Sequence, residues 1–245
     1  MSNFCTTVFT SDRQHWNLLD IDKITISDTL SKSSLIRNSY KLCHIKVTKP
    51  EEDIWKDKKQ WFEARGFQVI ETIGDWTNDS VSHGNGIIAD MARVYSVAPV
   101  LSNEFVLHLE SDWVFNVDNL DDYLYEHMNI LSKNQYLIYS RDTRIDNPNK
   151  IKDLNAQLYY NNHYLTNTEF SFNPFVARTR DLKYISNFVA KNQIHGHCEK
   201  AYEIAAKYLT NNEYIFNFTN NQIVQHRGDQ LDREWYENKL KELNK

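Results

Sequence analysis

Two carboxylates one residue apart, at the end of an apolar run, are the part of this sequence best suited to chemistry. Residues 104–115 read Glu-Phe-Val-Leu-His-Leu-Glu-Ser-Asp-Trp-Val-Phe. From Phe105 to Leu109 the run is apolar enough for a strand covered on both faces, and it stops at Glu110-Ser111-Asp112. In an extended segment residues i and i+2 point the same way, so Glu110 and Asp112 face one site. Carboxylates so placed repel each other unless they share a proton or hold a cation. A hard divalent ion, Mg²⁺ or Mn²⁺, takes oxygen ligands and bridges to phosphate. In open α/β sheets, ligands gather outside the carboxyl ends of the strands, which is where these acids would lie. The alternative is a strand end with solvated acids and no chemistry.

The pattern strand, acid-x-acid, aromatic resembles the DXD motif of GT-A glycosyltransferases. Leu109-Glu110-Ser111-Asp112-Trp113 is similar to the variant found in small viral and phage transferases of the family-2 type, although the family usually carries Asp where Glu110 stands. The resemblance implies a single α/β domain over residues 1–245, with a mixed, mostly parallel sheet flanked by helices. Residues 1–115 would form its nucleotide-binding half and residues 116–245 its acceptor and catalytic half. It also implies a nucleotide-diphosphate sugar donor, a UDP-sugar foremost, and Mn²⁺ or Mg²⁺ as cofactor. The acceptor would be a hydroxyl on a glycan or glycolipid, or on a hydroxylated DNA base of a virus or phage.

The elements that must position these residues follow in order. Residues 4–9 are β-branched and aromatic and read as a first strand. By resemblance Asp12 and Arg13, just after it, would meet the nucleoside; otherwise they form a polar turn. A short helix is expected near residues 28–35, and a second strand over residues 40–47. Pro50-Glu51-Glu52-Asp53 starts a helix that ends at Gly66, and residues 67–73 form a third strand. Strand, helix, strand at this spacing argues for a parallel sheet.

His83-Gly84-Asn85-Gly86 is expected to open a helix with Ile87, Ile88, Met91, Val94 and Tyr95 on one stripe. Glycine admits close backbone approach, and a helix N-terminus favours anions. By resemblance Asn85 and Gly86 face the donor. The glycines do not follow the first strand, which argues against a nicotinamide-binding fingerprint.

Trp113 is a candidate sugar platform or a core residue. Asn119 caps a helix through about residue 131, and residues 135–139 suggest another strand. Residues 141–152 are so rich in Asp, Asn, Arg and Lys that they read as a surface loop. Residues 157–178 combine aromatics with amides, the chemistry of a sugar-binding wall, with Phe172 and Asn173 as the candidate contacts. Glu199, opening a helix through about residue 209, resembles the catalytic carboxylate of inverting GT-A enzymes, with Lys200 where a second acid is usual. One well-placed carboxylate suffices for general-base work, while a Glu at this position also suits a helix start. Near the end, Gln225-His226-Arg227-Gly228 is similar to the C-terminal metal-binding His of several GT-A families. By that resemblance His226 joins Asp112 on the metal, Arg227 neutralises the diphosphate and Glu110 faces the donor. Residues 231–245 read as a charged amphipathic helix.

Composition restricts the alternatives. A chain of 245 residues with 6 Gly and 4 Pro is long and ordered enough to bury a core. A net charge of −5 without a basic run lowers the case for duplex nucleic acid as main partner. Three cysteines without metal-ligand spacing suggest a reducing compartment. No apolar run nears the ~20 residues of a membrane span, and no signal pattern opens the chain, so a cytoplasmic location with no obligate protein partner is expected. Two other classes stay open: a metal-dependent nucleotidyltransferase built on the same acids, and a non-catalytic carbohydrate-binding module built on the aromatic wall.

Overall fold

The computed structural model describes residues 3–12, 21–74, 80–145, 147, 149–192, 194, 197–213, 215–227, 238 and 241. Its frame is a single mixed sheet with helices on both faces, the α/β architecture expected. Four strands form a parallel block in the order β3-β2-β1-β4: β1 Phe4–Ser11, β2 Tyr40–Val47, β3 Phe67–Ile73 and β4 Phe105–Glu110. The sheet continues through β9 (Phe175–Arg178), β6 (Tyr139–Arg144), β10 (Phe216–His226), β8 (His163–Thr166) and β7 (Gln157–Tyr160). In this second block only β6 and β10 run parallel, and the short β5 (Trp113–Phe115) pairs with β10.

Alternation along β4 shows how the sheet divides its core. Val106 joins the apolar cluster on one face, while Phe105, Leu107 and Leu109 join the cluster on the other. The first cluster is covered by α4 (Ser80–Val94), α8 (Thr179–Lys191) and α9 (Cys198–Leu209). The second is covered by α1 (Ile21–Lys32), α2 (Ser34–Asn38), α3 (Ile54–Glu63) and α6 (Leu120–Lys133). Two short helices, α5 (Ala98–Leu101) and α7 (Lys150–Asp153), complete the described elements. No helix among the described residues is long and apolar enough to cross a membrane.

Several local expectations need correction. The helix expected near residues 28–35 is two helices, α1 and α2, broken at Ser33, whose hydroxyl accepts from Ile36 N–H. The helix α4 starts at Ser80, so Asn85 and Gly86 lie within it and do not open it. The surface loop expected over residues 141–152 begins instead as the end of the buried strand β6, in which Arg141, Asp142 and Thr143 are each at most 1% exposed, and closes in α7. Polar composition misled there because Asp142 is buried against Thr219 and Asn221, and Arg141 over the ring of Phe218. The last strand, β10, is one long element that runs to His226 with an irregularity in its pairing between Thr219 and Val224. The terminal helix expected over residues 231–245 lies outside the described residues, save two positions.

Arg178 fastens the two blocks where β9 joins them. Its Nη1 donates to the carbonyls of Leu131 at 2.6 Å and Asn134 at 3.1 Å, its Nη2 to those of Gln135 and Leu137, and its Nε to Asp181 at 2.5 Å. It thereby satisfies carbonyls left open at the end of α6. Replacing Arg178 by Met should lower unfolding free energy by about 2–4 kcal/mol, since several acceptors lose a charged donor together. Urea titration of both proteins measures this; a loss under ~0.5 kcal/mol would show that water replaces the guanidinium.

Candidate active site

The end of β4 is held from below. Ser111, the residue between the two acids, donates its hydroxyl to Asp22 Oδ1 at 2.6 Å, and its carbonyl accepts from the Thr25 hydroxyl. Its N–H bonds to Phe9 O at 3.0 Å. Asp22, in the first turn of α1, is also paired with Lys58 of α3 and accepts from Thr10 Oγ1 at 2.8 Å. Asp22 and Lys58 are both buried. Burial alone would raise the Asp22 pKa, but the charge of Lys58 and the donors Ser111 and Thr10 hold it below the usual carboxylate value. With its side chain and both backbone groups engaged, Ser111 fixes the directions of its neighbours.

Those neighbours meet His226. In the antiparallel pairing of β5 with β10, His226 stands opposite Trp113, and Arg227 N–H donates to Asp112 O at 2.8 Å. The His226 Nε2 then lies 2.8 Å from Asp112 Oδ2, though 114 residues separate the two. Trp113 packs against the imidazole, tilted by 33° at 4.8 Å between ring centroids, and donates its Nε1–H to Glu110 Oε2 at 3.1 Å. Glu110 is the strained member. Burial first, then the charge of Asp112, pushes its carboxyl up to about 8, against the lowering pull of the Trp113 N–H and His226.

Glu110, Asp112 and His226 stand at one side of a cavity of about 310 Å³. Its other walls come from the carboxyl ends of β1 and β2 and from α4, including Phe9, His44, Asp90 and Met91. Thr72 Oγ1 donates to Asp90 Oδ1 at 3.0 Å and lies 3.0 Å from His44 Nε2, while Lys46 Nζ reaches Asp90 Oδ2 at 3.4 Å. Burial would raise the Asp90 pKa, but His44, Lys46 and Thr72 together hold it down. His108 lines the cavity too. Burial drives its pKa to about 3, its Nδ1 is bonded to Tyr95 Oη at 2.7 Å, and its ring stacks on Phe175. It is therefore neutral at physiological pH.

No protein-family profile matches this sequence, and no curated protein matches it. Among solved structures, the apo form of mouse xyloside xylosyltransferase 1 is similar to this chain, with a TM-score of 0.48 and 8% sequence identity, over 88% of this chain and 84% of that one. A likeness this distant says nothing of activity, so function has to be read from the site.

Of the residues singled out in the sequence, the fold brings Glu110, Asp112, Trp113 and His226 together, with Phe172 across the same cavity. Glu199 and Asn173 line an adjoining cavity, and Glu199 Oε1 accepts the N–H of Phe172 at 3.0 Å. Arg227 is buried beside Asp112. Trp113 is only 2% exposed, with His226 on its ring and Arg144 5.3 Å above it, so it orients Glu110 and His226 and offers no free face to a sugar. Asp12 is engaged elsewhere: its carboxylate accepts from Thr48 N–H, Thr48 Oγ1 and Lys49 N–H within 2.7 Å, tying the end of β1 to the end of β2. Gly86 sits in α4 just before the wall residue Ile87; Arg13 and the Asn85 side chain lie outside the described residues. Sequence reading missed Asp22, Lys58 and Thr25, which touch the motif only through tertiary contact, and His44 and Asp90, which no local pattern marks.

Removing the anchor should loosen the motif. Asp22→Asn leaves Lys58 buried without its counter-charge, which should cost about 3–5 kcal/mol. Because the folded Asp22 pKa is depressed, its stabilisation is present above the unfolded value of ~3.9 and is lost as pH falls through the lower folded value. The stability gap between wild type and variant, measured by denaturant titration, should therefore narrow below about pH 4. A gap independent of pH across that range would show that Asp22 is not ionised in the fold.

Proposed function

We propose that the protein is a metal-dependent glycosyltransferase that moves a sugar from a nucleotide-diphosphate donor, UDP-linked foremost, to an acceptor hydroxyl. The observation that carries this reading is the meeting of Asp112 and His226 beside Glu110 at the rim of a cavity formed by the ends of parallel strands. The donor chemistry suits Mn²⁺ or Mg²⁺: a carboxylate oxygen and an imidazole nitrogen 2.8 Å apart, with a second carboxyl next to them. Among the described residues no three His, Cys, Asp or Glu side chains are grouped so as to hold a metal ion. A pair of protein ligands leaves room for phosphate oxygens and water, as in an ion that works on a diphosphate. Asp112 and His226 would hold it, and when bound it would supply charge to stabilise the departing diphosphate.

The remaining steps fall to the chain itself. Glu110, held by Trp113, faces the donor. The wall of Phe9, Met91 and Asp90 accommodates the nucleoside, with Asp90 as an acceptor for ring or ribose donors. Phe172 shields the cavity, and Arg227, adjoining Asp112, adds positive charge for the leaving group. Glu199 faces the neighbouring cavity with Asn173, where it would take the proton of the acceptor hydroxyl. That hydroxyl belongs to a glycan or glycolipid first, with a hydroxylated DNA base second.

Donor hydrolysis and transfer separate these roles. Asp112→Asn and His226→Ala should each lower kcat/KM at least ~100-fold, about 2.7 kcal/mol of transition-state stabilisation. Glu199→Gln should lower kcat while leaving UDP affinity within about twofold. Turnover of a nucleoside triphosphate with a sugar phosphate, in place of a nucleotide sugar, would reassign the site to nucleotidyl transfer. Sugar binding indifferent to EDTA and to Asp112→Asn, without turnover, would make it a binding module.

A further inference from the structure

The cavity that holds Glu199 and Asn173 has a volume of about 510 Å³ and is polar on nearly every side. Its wall includes Arg141, in the middle of β6. Arg141 is 1% exposed, and its guanidinium lies over the Phe218 ring at 4.5 Å. Its Nε and Nη1 are buried and make no hydrogen bond with any described group. The adjacent acid, Asp142, lends it charge but no hydrogen bond. Successive strand residues face opposite ways, and Asp142 Oδ1 accepts from the Thr219 hydroxyl and from Asn221 N–H. A guanidinium kept out of water with open donors is an unfavourable arrangement unless a partner arrives. The planar fork of Arg fits an oxyanion, taken by two parallel hydrogen bonds.

We propose that this cavity is a subsite for a sugar bearing an oxyanion, a carboxylate or a phosphate, which Arg141 grips. Arg144 on the same wall adds a second positive charge. Glu199 and Glu169 also line the cavity and are acceptors, so they suit the hydroxyls of the sugar and oppose an anion placed against them. The charge pattern thus sorts one ligand into two ends: anion toward Arg141, hydroxyl toward Glu199. A neutral sugar would leave the Arg141 donors unmet. Calling this ligand the acceptor rests on the glycosyltransferase reading; the anion site itself does not.

Calorimetric titration of the whole protein in EDTA, at constant ionic strength, with glucuronate, glucose 6-phosphate and glucose tests it. One of the two anionic sugars should bind at least tenfold tighter than glucose, and which one does so identifies the anion. Arg141→Gln should abolish the preference, and Arg141→Lys should keep part of it. Equal affinity for all three sugars, no binding of either anion, or a preference that survives in Arg141→Gln overturns the proposal. Should Arg141→Gln fail to fold, the wild-type comparison and displacement of the bound anion by inorganic phosphate decide it. UDP titrated with Mn²⁺ in parallel separates the two readings. UDP binding without anion preference sinks this inference alone; anion preference without UDP binding sinks the donor reading alone.

Discussion

A buried ion pair, Asp22 with Lys58, sets the geometry on which the candidate site depends. Through Ser111 it clamps the one residue that separates Glu110 from Asp112. Three elements that are remote in sequence, α1, α3 and the end of β4, are joined at that point. A buried pair is a poor source of net stability, because desolvation offsets most of the attraction. Its value lies in direction: a carboxylate that accepts from Ser111 and Thr10 while facing Lys58 tolerates little displacement. The two acids are thus held close, and burial first, then the charge of Asp112, raises the Glu110 pKa. A site built in this way is prepared for positive charge before any ligand arrives.

The second condition is topological. β10 crosses the antiparallel block and ends against β5, which carries His226 to Asp112, 114 positions earlier in the chain. Trp113 then couples Glu110 to the imidazole, through one hydrogen bond and one tilted ring contact. The site therefore draws on both blocks of the sheet, and Arg178 holds those blocks together where β9 joins them. Beyond Phe172, Glu199 ties the start of α9 to the aromatic segment by accepting its backbone N–H. The two cavities therefore meet where Phe172, lining one, donates its N–H to Glu199, lining the other.

Much of this was legible where local pattern coincides with burial. The parallel block announced itself through apolar strands separated by capped, amphipathic helices, and β4 through an apolar run ending in acids. Glu110 and Asp112 stood out as paired acids at a strand end and His226 through its resemblance to the C-terminal His of GT-A families, and the fold brings the three together. The rest was hidden by compensation. Arg141 and Asp142 sit in a buried strand, yet their charges imitate a loop; only tertiary partners such as Phe218 and Thr219 make that strand possible. Trp113 has the composition of a sugar platform, but its burial was decided by β10, far away in sequence. Asp12 has the residue type of a ligand contact, but its carboxylate braces the strand ends by accepting two N–H groups that follow β2. Ion pairs such as Asp22 with Lys58 leave no local trace at all.

The central claim is that Asp112 and His226 hold one cation on which a nucleoside diphosphate also sits. Pulsed electron paramagnetic resonance of Mn²⁺ with UDP and the protein reads the ligands directly. The account predicts nitrogen modulation from one imidazole together with phosphorus coupling from the diphosphate, the nitrogen signal vanishing in His226→Gln. Phosphorus coupling without any nitrogen modulation, or a nitrogen signal unchanged in His226→Gln, would contradict it.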